Sequence, residues 1–118
     1  MQDLSNLVVY NDGELELKVS VDSETIWLTQ LQMSQLFDTS TDNVGLHLKN
    51  IYLEKELDEN STTEFFSVVR KEGNRLVKRE LKHYNLDVII CVGYRVSSLR
   101  ATKFRQWATS VLKNYIQN

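Results

Sequence analysis

The chain lacks proline altogether, where average usage would place about six in 118 residues, so proline-rich linkers and polyproline ligand tracts are excluded. Its one cysteine, Cys91, cannot close an internal disulfide, and a reducing, cytoplasmic setting is expected. One Cys and two His cannot supply the four ligands of a structural zinc site, and no metal or other cofactor is expected. The four glycines are scattered at 13, 45, 73 and 93, so there is no glycine-rich phosphate loop. No apolar run approaches the roughly 18 residues of a membrane span, and Met1-Gln2-Asp3 does not open a signal peptide, so no membrane partner is expected. What is present is 42% hydrophobic and 25% charged, the profile of a globular protein. At this length residues 1–118 are expected to form one domain, because a second core would leave each half too small to stabilise itself.

The net charge of −2 hides an asymmetry. Residues 1–64 hold 3 Lys/Arg against 13 Asp/Glu, whereas residues 65–118 hold 11 against 3. Such polarity points either to a polyanion-binding face or to two halves that attract each other within the molecule or across a dimer interface.

Leu15, Leu17, Val19 and Val21 alternate with polar residues, the period of a half-buried strand. Asp12-Gly13 suits a type I′ turn, making Leu7–Tyr10 the hairpin partner. Thr29-Gln30-Leu31-Gln32 is a capping box that starts a short helix with Met33, Leu36 and Phe37 inward. Ser40 can cap a second helix running to about Glu56, with Val44, Leu48 and Ile51 inward. Phe65–Arg70 and Leu76–Leu81 flank Gly73, which permits a tight type II′ ribbon turn. Asn85 caps an apolar, central helix from Leu86 to about Val96, and Ser97-Ser98 interrupts it. A last helix carries Phe104, Trp107, Ala108, Val111, Leu112 and Tyr115 on one stripe. The fold class is α+β: an N-terminal β-hairpin, a winged helix-turn-helix-like helix pair with a β-ribbon (core about 25–84), and a C-terminal helical pair at about 85–117.

On the outward side of the second helix, Asn43, Lys49 and Asn50 are the residues suited to base edges. Leu46 and Leu53, seven residues apart, would meet water, a partner protein or a second copy. The segment from Leu28 to Glu64 carries 2 Lys/Arg against 7 Asp/Glu, which opposes close approach to phosphates. Cations sit instead on the ribbon (Arg70, Lys71, Arg75, Lys78, Arg79 and Lys82) and around the Ser97-Ser98 break (Arg95, Arg100, Lys103 and Arg105). Six such side chains on duplex DNA would give a log–log salt slope of roughly −5.

Trp27-Leu28-Thr29-Gln30, His47-Leu48-Lys49-Asn50-Ile51, Tyr84-Asn85-Leu86-Asp87, Val92-Gly93-Tyr94-Arg95-Val96 and Phe104-Arg105-Gln106-Trp107-Ala108-Thr109 resemble the signature blocks of the virulence RhuM family, over about Leu7 to Ile116. The resemblance implies a bacterial DNA-binding protein of mobile or pathogenicity islands, often beside restriction–modification genes. Family members continue further, so the chain resembles an N-terminal module. Phe104-x-x-Trp107 followed by Val111-Leu112 also resembles the end of the Bro-N domain of phage antirepressors. Cys91 stands where the family commonly has serine, and Gly45 interrupts the second helix at a cost of about 1 kcal/mol relative to alanine, permitting close approach of another backbone.

No catalytic constellation emerges, and the chain is not expected to be an enzyme. Cys91 falls within the apolar helix, where a buried thiol is inert. His47 flanks an inward stripe and reads as a packed, hydrogen-bonded histidine, while His83 ends a ribbon strand within reach of a phosphate. Two functions follow: a winged-helix module for double-stranded DNA, or a protein-interaction module using Leu46 and Leu53. A homodimer is compatible with both.

Overall fold

Each of the three longer internal helices or helix starts is fixed by a side chain that takes up free backbone N–H groups. Thr29 and Gln32 form a reciprocal capping box at the start of α1 (Gln30–Leu36). Ser40 accepts from the Asn43 N–H at the start of α2 (Thr41–Leu53), and Asn85 accepts from that of Val88 at the start of α4 (Leu86–Val96). A single turn, α3 (Glu59–Thr62), is capped by Asp58 in the same way. Between α1 and α2, Asp38 takes a positive φ of 53°, the role glycine often fills. Lys55 does the same at φ 59° and stops α2 at Leu53, three residues before the expected end. Ser97 ends α4, and α5 spans Ser98–Gln117.

The computed structural model describes residues 2–3, 7–22 and 25–117, with side chains described for 7–22 and 25–114; Tyr115 lies outside those side chains. Among the described residues, no helix is long and apolar enough to cross a membrane. The strands are β1 (Gln2–Asp3), β2 (Leu7–Asn11), β3 (Glu16–Asp22), β4 (Thr25–Thr29), β5 (Thr63–Glu72) and β6 (Arg75–Tyr84). They form one sheet in the order β1-β5-β6-β4-β3-β2, antiparallel except for β1 beside β5.

Two turns were open to test. In the β5–β6 ribbon, Glu72 pairs with Arg75 and Gly73 takes φ +63° at the first central position, as a type II′ turn requires. The β2–β3 connection is not the expected two-residue type I′ turn. Asn11 pairs with Glu16, and Asp12 stabilises a four-residue loop by accepting from the N–H groups of Glu14 and Leu15.

One face of the sheet packs on the helices. Tyr10, Leu17, Val19, Val21, Ile26, Leu28 and Tyr84 meet Met33, Leu36, Phe37, Val44, Leu48, Ile51, Val88, Ile89, Val92 and Phe104 in a single core. Burial of Met33, Leu36 and Phe37 and of Val44, Leu48 and Ile51 follows the expected stripes. Asp3 of β1 at one edge and Leu7 of β2 at the other are four positions apart in the chain. Four chain steps reach at most about 14 Å, whereas six flat strands would set their outer members about 24 Å apart. The sheet is therefore curled. Its concave side encloses Trp27, Phe66 and His83, whose rings stack edge to face at 5.4 and 5.3 Å.

Candidate nucleic-acid interface

Alternation along β5 and β6 sorts the ribbon's cations by face. The register pairs Val68 with Arg79, Arg70 with Val77 and Glu72 with Arg75, so the three arginines share one face with Glu72. Lys71, Lys78 and Lys82 share the other with Phe65, Val69 and Leu76, which are 51%, 62% and 77% exposed.

Glu72 holds two of the three arginines. It accepts from Arg79 Nε and Nη2 at 3.1 and 2.8 Å and from Arg70 Nε at 3.0 Å. Those bonds, Arg79's first, bring its carboxyl down to about 2. Arg75 lies exposed beside the turn. Lys82 is drawn inward, paired with Glu59 and set 5.8 Å from the centre of the Tyr84 ring.

The cations around the Ser97-Ser98 break do not form one patch. Arg95 reaches Glu54 and Glu56 beyond the end of α2, at 3.3 and 3.4 Å. Arg100 donates to the Leu36 carbonyl at 3.0 Å, at the end of α1, and pairs with Glu14 of the β2–β3 loop at 3.3 Å. Arg105 lies over the Tyr94 ring at 5.7 Å, and Lys103 is exposed. With Lys82–Glu59, these pairs join the basic half of the chain to the acidic half, so part of the charge split is met within the molecule.

On α2, Asn43 spends its amide on Thr39 Oγ1 at 2.8 Å, a second tie across the interhelical turn. Lys49 is exposed and Asn50 half-buried. Leu46 and Leu53 stand 55% and 72% exposed. At Gly45 a Cβ would meet the Gln30 side chain at 2.8 Å, whose amide donates to the Thr41 carbonyl.

Both histidines depart from their expected surroundings. His47 Nδ1 is buried with no hydrogen-bond partner among the described residues. His83 is 2% exposed and turned into the concave side, away from any surface phosphate. Its Nδ1 donates to the Leu81 carbonyl at 2.8 Å, and burial lowers its pKa. The strand alternation that sets Leu81 and His83 on one face and Glu80 and Lys82 on the other was the sequence signal for this placement. Burial pushes the half-buried Cys91 thiol up, with Glu56 and Asp87 adding to the effect.

Residues 61–118 match the model of the Virulence protein RhuM family. That segment is similar to the family. It takes in the whole ribbon, α4 and α5, and with them the blocks beginning at Tyr84, Val92 and Phe104. The blocks beginning at Trp27 and His47 precede the matched segment, on β4 and α2. No curated protein and no solved structure matches the chain.

Proposed function

We propose that this RhuM-type chain is a non-catalytic, winged-helix module that holds double-stranded DNA by its phosphates. The observation that carries the reading is the ribbon: residues 69–80 put five Lys/Arg against two Glu around a tight turn. The order β4-α1-α2-α3-β5-β6, with β4 hydrogen-bonded to β6, supports it, since a wing following a helix pair has this layout with the single turn of α3 between them. Arg70, Lys71, Arg75, Lys78 and Arg79 make the main contacts. Lys49 and Asn50 offer what base contact α2 can give, while Lys82, Arg95 and Arg100 chiefly brace the fold. The test is Arg75→Ala combined with Lys78→Ala. Loss of two phosphate contacts lowers duplex affinity and makes the salt slope shallower by roughly 2. Unchanged affinity and slope would contradict the assignment.

Exposure of Leu46 and Leu53 on α2 favours a second reading, in which that helix engages a protein or a second copy. Leu46→Asp then abolishes self-association in sedimentation while leaving the circular dichroism spectrum intact. A wild-type chain that stays monomeric at all concentrations would remove the homodimer.

A further inference from the structure

The concave side of the curled sheet contains a cavity of about 610 Å³, within the size range of small-molecule sites. Two cations of the concave face line it, Lys18 from β3 and Arg70 from β5, and Lys78, whose register sets it on the ribbon's other face and which has a partner of its own, borders it. Its described lining includes no carboxylate. Ser20, 5% exposed, Thr29 and the buried His83 add polar groups, and Leu7 and Leu81 supply an apolar wall. Register places Lys18, Ser20, Thr29, Arg70, Leu81 and His83 on the same face, so strands distant in sequence converge on one space.

Cations gathered at a recess with no acid in its described lining call for an anion. Arg70 commits its Nε to Glu72, outside the lining, and its planar fork suits two phosphate oxygens. The cavity is too large for phosphate alone, and its leucine wall suits an organic body.

We propose that this cavity binds a small phosphorylated molecule of nucleotide size, with Lys18 and Arg70 on the phosphate and Leu7 and Leu81 against the organic portion. The proposal does not require duplex binding by the ribbon, although Arg70 serves in both readings.

Calorimetric titration of the full chain with AMP, GMP, ribose 5-phosphate and inorganic phosphate, alongside adenosine and guanosine, tests it. At least one organic phosphate binds, at least about tenfold more tightly than its unphosphorylated counterpart or inorganic phosphate. Lys18→Gln weakens that binding about tenfold and Lys18→Arg restores it, because the exposed Lys18 contributes charge and not core packing. Since Lys18 lies outside the ribbon, Lys18→Gln leaves duplex affinity unchanged, which separates failure of this site from failure of the DNA reading. Absence of binding by all the phosphorylated probes, or indifference to Lys18→Gln, would overturn the proposal.

Discussion

Between Arg70 and Arg79 the ribbon carries one carboxylate, hydrogen-bonded to both guanidiniums. Because its carboxyl is brought down to about 2, Glu72 stays ionised throughout the neutral range and keeps both arginines partly occupied. Glu72→Gln releases them, so the variant binds duplex DNA several-fold more tightly with a salt slope steeper by up to about 2. Weaker binding in an anisotropy titration would show that Glu72 orients the arginines usefully. His83 gives the residue-scale prediction for pH. Its folded-state pKa lies below the unfolded value of about 6.5, so the unfolded chain gains a proton first on acidification. Stability present above that value is lost as pH falls through the folded-state pKa. Urea midpoints for the wild type therefore drop between pH 7.5 and 5.5, and His83→Gln makes the drop smaller. Equal drops in both would place the proton elsewhere.

Among the elements, the contact of α4 with α5 and the α1 terminus depends on one missing side chain. A Cβ on Gly93 would lie 2.6 Å from Phe37 Cζ and 2.7 Å from Ala101 Cβ, both in buried residues. Gly93→Ala forces these apart at about 1–3 kcal/mol, more than the roughly 1 kcal/mol alanine returns through helix propensity. Its urea midpoint falls; a rise would mean that the pair separates freely. Elements governed by nearby residues were legible in the sequence. Thr29, Ser40 and Asn85 mark three helix starts because a cap acts within three residues. The ribbon turn was legible because Gly73 supplies the positive φ that its turn type needs. The single turn of α3 was passed over, although Asp58-x-x-Ser61 carried its signal. Strand β4 was not legible, because its identity depends on partners in β3 and β6.

At the scale of the whole molecule, the curl of the sheet and the meeting of opposite charges depend on contacts far apart in sequence. Arg100 reaches Glu14 across 86 positions, and Arg95 reaches Glu54 across 41. The sequence therefore showed the charge split without showing how far pairing consumes it. It gave the candidate site as a set of cations; register and pairing separate ribbon residues turned outward from those that brace the fold. Five ribbon cations against two glutamates remain the largest local excess around the β5–β6 turn, and DNA binding rests on them. Fluorescence anisotropy of a labelled random-sequence duplex, titrated with the wild-type chain at about 50 and 200 mM salt, tests this most directly. The account predicts micromolar binding at the lower salt that collapses at the higher. No binding at the lower salt would contradict it.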